Sequence, residues 1–134
     1  MAPPPDAPPP DAPSPDAPSR DAPSRADGQG NLLAALPGAL DAERIEVLAQ
    51  RGGARVERIV STGQSSPDGF WYDQDHDEWV TVVSGAAVLE IEGEGAVELG
   101  PGDWRMLPAR QRHRVAATSL EEPTVWLAMH LPRA

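Results

Sequence analysis

The sequence contains no cysteine and no lysine; all 11 basic residues are arginine. Without thiols, disulfide frameworks, thiolate metal sites and cysteine nucleophiles are excluded. Aromatic residues make up only 4% of the 134 positions, so a core has to be assembled chiefly from aliphatic side chains. No apolar run approaches the ~20 residues that cross a bilayer as a helix. The first residues offer neither the basic stretch nor the apolar segment of a secretory leader, which makes the cytoplasm the expected location. The formal net charge is −10. That balance argues against nucleic acid or an anionic membrane surface as a partner, since both require a basic footprint.

What is abundant at the N-terminus is proline. Ten of the 16 prolines lie between Pro3 and Pro23, and Asp6, Asp11, Asp16 and Asp21 each open an Asp-Ala-Pro unit. Between Ala2 and Gly30 there is no Leu, Ile, Val or aromatic residue. Such a segment buries too little apolar area to offset ~1–2 kcal/mol of backbone entropy per residue. Residues 1–30 are therefore expected to form a disordered, polyproline-II-like tail, and residues 31–134 a single domain that is acidic in its own right. A domain of that size buries enough surface for one core.

From Asn31 onward the pattern is that of strands. Asn31 before Leu32-Leu33-Ala34-Ala35-Leu36 reads as an N-cap and one short helical turn, stopped by Pro37-Gly38. Short apolar runs then alternate with turn residues, giving candidate strands at 45–50, 55–62, 78–83, 87–92, 96–99, 104–107, 113–118 and 124–131. Strands at this spacing, with no long helix, indicate an antiparallel sandwich or barrel. Alternation assigns the faces. Ala87, Leu89 and Ile91 point one way, and Val88, Glu90 and Glu92 the other. Glu78 has the parity of Val80 and Val82, which aims a carboxylate at the core. His113 likewise shares parity with Val115 and Ala117. A buried acid requires a partner, a proton or a cation, so two inward titratable groups mark a candidate site.

Glu78, followed by the residues Trp79–Ser84 and Gly85, resembles the second half of the first cupin motif. Pro101-Gly102-Asp103, Pro108 and His113 resemble the second cupin motif in residue type and spacing. The resemblance covers roughly residues 44–131 and implies a double-stranded β-helix, or jelly roll, whose pocket opens between two sheets. In that family, two His of a His-x-His element join the Glu and the second-motif His around one divalent metal. Here the positions of the His pair fall on Tyr72 and Gln74, or in the alternative register on Trp71 and Asp73, and neither supplies an imidazole. His76 would share a face with Gln74 and Glu78 if the strand extended back that far, although a turn at 75–77 would break the alternation.

Two readings follow from this donor set. With His113, Glu78, His76 and Gln74 as ligands, two nitrogens and two oxygens would suit Fe, Mn, Ni or Zn. In the alternative, the pocket is metal-free and Glu78 is hydrogen-bonded to His113 or Tyr72, or is neutral. His130 reads as a surface or satisfied core histidine, Phe70-Trp71-Tyr72 as packing, and Asp73, Asp75 and Asp77 as a solvated turn. Arg110, Arg112 and Arg114 read as surface charge rather than as a receptor for a substrate carboxylate or phosphate. The expected function is a small-molecule-binding barrel. One version is a metal-dependent dioxygenase, isomerase or lyase acting on a small polar or carboxylated compound, with Glu78, His113 and Tyr72 as proton-transfer groups. The others are a non-catalytic sensing barrel and a dimeric interaction module. The family resemblance and the open sheet edges imply a homodimer.

Overall fold

The computed structural model describes residues 28–133. All regular structure among them is β: β1 (Arg44–Arg51), β2 (Ala54–Ser61), β3 (Asp77–Ser84), β4 (Ala87–Ile91), β5 (Gly95–Leu99), β6 (Trp104–Leu107), β7 (His113–Thr118) and β8 (Thr124–Leu131). Every expected strand is present, with ends shifted by a residue at most. Except for 28–30, the segment expected as a tail lies outside the described residues. No described helix is long and apolar enough to cross a membrane.

The strands form two antiparallel sheets, one ordered β1-β2-β8-β3-β6 and the other β5-β4-β7. Each presents its alternate apolar residues to the other. Ile59, Trp126, Val80, Val82 and Leu107 come from the large sheet and Leu89, Ile91 and Val115 from the small one, all nearly or wholly inaccessible. This two-layer closure satisfies the half-apolar alternation of each strand.

Two glycines are required by geometry. Gly85, at φ +91°, leads from β3 toward β4, and a Cβ there would lie 2.6 Å from the Thr124 Cα. Gly102, at φ +88°, occupies the third position of the Gly100–Asp103 turn. That turn is closed by the Asp103 N–H donating to the Gly100 carbonyl (2.9 Å) and is tied to β3 by the Gly102 N–H donating to the Val82 carbonyl (2.8 Å). Pro101 presets φ at its second position. Both motif-defining glycines thus serve the backbone rather than chemistry.

The segment after Asn31 is a single hydrogen-bonded turn. The Asn31 side chain accepts from the Leu33 N–H (2.8 Å) and its carbonyl from the Ala34 N–H (3.1 Å), and Ala35 then leaves helical space at φ 52°. The turn lies over the outer face of β2. There Arg58, 1% exposed, donates to the carbonyls of Leu32 (3.1 Å) and Ala34 (2.7 Å) and to Glu46 (2.8 Å). One alternation departs from the expected pattern. A register irregularity between β4 and β7 at Val88/Leu89 leaves Ala117 exposed and turns Thr118 inward, so the inward face of β7 runs His113, Val115, Thr118.

Candidate functional site

Buried polar side chains sit among the apolar ones in the interior. On the large sheet, β3–β8 pairing sets Glu78 opposite His130, and β2–β8 pairing sets Glu57 opposite Ala128. All three polar side chains therefore face inward, with Glu78 at 0%, Glu57 at 4% and His130 at 3% exposure. His113, 1% exposed, enters from the small sheet.

His113 is held on two sides. Its backbone forms a bridge with Tyr72: the Tyr72 N–H donates to the His113 carbonyl (2.7 Å) and the His113 N–H to the Tyr72 carbonyl (3.2 Å). The two rings stack with centroids 5.3 Å apart, and Phe70 packs edge-on against Tyr72. His113 Nδ1 lies 2.8 Å from the Gln111 carbonyl. A carbonyl only accepts, so Nδ1 carries the proton and Nε2 the lone pair. That Nε2 is buried and has no hydrogen-bond partner among the described residues. Burial pushes the His113 pKa down, against the opposing pull of the Gln111 carbonyl and the Glu78 charge. The ring is therefore a neutral base within electrostatic reach of a carboxylate. Burial, with the charges of Glu43 and Glu78, raises the Tyr72 pKa, so its phenol keeps its proton.

A second polar group surrounds His130, opposite Glu78; of its members only His76 belonged to the expected donor set. His130 Nε2 donates to Glu57 Oε1 (2.8 Å), and Arg55 donates to the other Glu57 oxygen (2.8 Å). Burial alone would raise the Glu57 pKa, but His130 and Arg55 hold it below its ordinary value. His130 Nδ1 lies 2.9 Å from His76 Nε2, and His76 Nδ1 lies 3.1 Å from Asp75. At the level of Trp126, the indole N–H donates to the Ser61 hydroxyl (3.1 Å), which donates to Glu43 (3.1 Å). Burial pushes the Glu43 carboxyl up. Parity with Ile59 was the available signal for Glu57; Glu43 precedes its strand and carried none.

The structure thus brings Glu78, His113 and Tyr72 to one interior. Gln74 is half-buried, and its carbonyl accepts from the Arg110 N–H (2.7 Å). A bend at Asp75 and His76 precedes β3, so the strand does not extend back to carry Gln74, His76 and Glu78 on one face, and His76 turns to His130 instead. Among the described residues, no group of three or more His, Asp and Glu is arranged to hold a metal ion. The flanking arginines are spent on outer-surface ion pairs: Arg110 with Asp73, Arg112 with Glu92 and Arg114 with Glu90. His130 is a satisfied core histidine, as expected.

A family model described as Cupin domain matches residues 57–130. The chain belongs to the cupin family. Among solved structures this cupin is similar to a candidate mannose-6-phosphate isomerase from Ralstonia eutropha JMP134, at 51% identity over 78% of this chain and 98% of that one, with a TM-score of 0.77. It shares its fold with a cupin superfamily protein from Desulfitobacterium hafniense DCB-2, at 19% identity over 73% of this chain and 84% of that one, with a TM-score of 0.61. KdgF from Halomonas sp. has the same fold, at 24% identity, coverage of 73% and 87%, and a TM-score of 0.58. No curated protein matches the cupin.

Proposed function

We propose that this cupin binds a small polar molecule inside its barrel and transfers a proton on it, as an isomerase- or lyase-type enzyme. The observation that carries the reading is the His113 imidazole, fixed in one tautomer with its Nε2 lone pair buried and available. In this scheme Nε2 takes a proton from a C–H or O–H of the ligand. The resulting imidazolium is stabilised by the Glu78 carboxylate; in an isomerisation the proton returns to a neighbouring ligand atom, and in a lyase reaction the bond to the adjacent leaving group breaks and the departing group takes the proton, either way leaving the enzyme unchanged. Tyr72 orients the imidazole by stacking and supplies a neutral donor. Isomerisation is proton-transfer chemistry, so the likeness to the Ralstonia protein supports this class.

The family pattern also implies a divalent metal, and the residues here fit it poorly. His113 Nε2 and Glu78 supply two donors. Tyr72 keeps its proton, and His76 is engaged with His130. The proposed chemistry is therefore assigned to side chains alone.

A thermal-shift screen of small polyols, carboxylates and amines, run on the full chain and on His113→Asn, tests the reading. At least one compound should stabilise the parent and not the variant, and metal content should be substoichiometric in both. Stoichiometric metal lost on His113→Asn, or no compound whose effect depends on His113, would overturn it.

A further inference from the structure

The outer face of the large sheet carries an apolar patch that the core does not use. Met129, Trp79 and Met106 stand opposite one another on β8, β3 and β6, and Leu127, Thr81 and Trp104 form the next row. Trp104 is 61% and Met106 39% exposed, while Trp79, Met129 and Leu127 are half-buried. The Trp79 and Trp104 ring centroids lie 6.0 Å apart with the planes at 30°, a pair of indoles on the edge strand β6 and its neighbour β3. Exposed apolar surface of this kind marks a contact site.

The N-terminal chain arrives on the same face. The turn after Asn31 is held there by Arg58, which donates to the carbonyls of Leu32 and Ala34. Strand register sets Arg58 opposite Leu127, Leu127 opposite Thr81 and Thr81 opposite Trp104. The turn and Trp104 therefore stand on one row across the sheet, three strand spacings of ~4.8 Å or about 14 Å apart. Pro23 precedes Asn31 by eight residues, about 25 Å of polyproline-II chain at ~3.1 Å per residue. Pro23 and the prolines before it thus reach the indole pair.

The chemistry of segment and patch also agrees. Proline lacks the N–H needed to add a regular strand to the open edge of β6, but its ring and fixed φ suit stacking on aromatic side chains, the basis of proline-rich recognition. Residues 1–27 hold ten prolines and no Leu, Ile, Val or aromatic residue, so proline rings are the apolar surface this stretch repeats. A short tether keeps the segment at ~mM effective concentration over the patch, which a second chain at micromolar concentration does not match.

We propose that residues 13–23 dock in cis on the outer face of the large sheet, with proline rings stacked on Trp104 and Trp79. The whole chain carries a net charge of −10, and five Asp against two Arg leave residues 1–27 negative as well. Stacking rather than charge has to hold the contact, so added salt should preserve it by screening the repulsion.

The absence of cysteine lets a single nitroxide be placed through Ser19→Cys in the full chain. Chains bearing both isotope and nitroxide are diluted into excess unlabelled chain, and broadening of the Trp79 and Trp104 indole N–H signals is read by NMR. A companion chain with Pro13→Ser, Pro15→Ser, Pro18→Ser and Pro23→Ser keeps the tether length and charge but not the rings. Broadening should be at least about twofold weaker in the companion, and Trp104→Ala should weaken docking about two- to tenfold as read at Trp79, the worth of one aromatic contact. Equal broadening in parent and companion would overturn the proposal, as would broadening that salt abolishes, which marks a charge contact. A second sample carries isotope and nitroxide on different chains. Broadening confined to that sample would assign the face to a second copy and overturn the proposal as well.

Discussion

Removal of Glu57 probes whether the polar group around His130 is a structural unit. In the parent, Glu57 and His130 side chains are 5% and 4% exposed and share a 2.8 Å contact. Glu57→Ala leaves the His130 Nε2–H buried without an acceptor, which costs about 1–3 kcal/mol. The lost side chain also removes one buried methylene, at ~0.8 kcal/mol. The Arg55 contact adds less than ~1 kcal/mol, because Arg55 is 32% exposed and solvent screens it. The expected loss is about 2–5 kcal/mol, overlapping the range for breaking a buried pair. For a domain of this size that corresponds to a fall in Tm of at least about 8 °C, measured by circular dichroism, with urea unfolding giving a lower midpoint at an unchanged slope. Glu57→Gln, which retains volume and an acceptor, should lose much less. The pH dependence separates charge from packing. A carboxyl whose folded pKa lies below 4.5 contributes stability that is complete above that value and lost as pH falls through the folded one. This acid limb should be present in the parent and reduced in Glu57→Gln. A loss below about 1 kcal/mol for Glu57→Ala, or identical acid limbs, would mean that Glu57 and His130 do not act as a structural pair.

Glu43 has the opposite sign. Its folded pKa is raised above 4.5 by burial, so its contribution is present below that value and disappears as pH rises through the folded one; Glu43→Gln should be more stable than the parent at neutral pH in the same unfolding assay, with the gap closing in acid. Gly85→Ala places a methyl 2.6 Å from Thr124 backbone at φ +91° and should cost more than about 2 kcal/mol in urea unfolding, whereas Gly93→Ala, with nothing within 4 Å of its Cβ at φ +84°, reports the dihedral strain alone and should cost less. The homodimer expected from the family resemblance and the open sheet edges should sediment as two chains at micromolar concentration, and a monomer there would refute it.

Strand parity made most of the site legible. Glu78 shares the rhythm of Val80 and Val82, and burial follows it, so a carboxylate inside the barrel could be read from eight residues of β3. His113 was placed by the same argument. The alternation failed where a bulge intervened, at Ala117, because an extra residue on one strand inverts every later side chain. It also failed at His76, where a bend severs the link to Glu78 and frees the ring for His130, 54 positions away. Arg58 shows the remaining limit. Its burial depends on carbonyls of the turn after Asn31, 24 and 26 residues upstream, and no local pattern announces that covering. Glu43 is inward only because the barrel brings it to Ser61, 18 residues on.

The chemistry of the site turns on one proton. With Nδ1 held at 2.8 Å by the Gln111 carbonyl and its pKa lowered by burial, His113 should be a neutral Nδ1–H tautomer at neutral pH. Long-range ¹H–¹⁵N correlation on uniformly labelled protein should show a protonated, pyrrole-like Nδ1 and an unprotonated, pyridine-like Nε2. An imidazolium at neutral pH, or the reversed tautomer, would rule out His113 as the base.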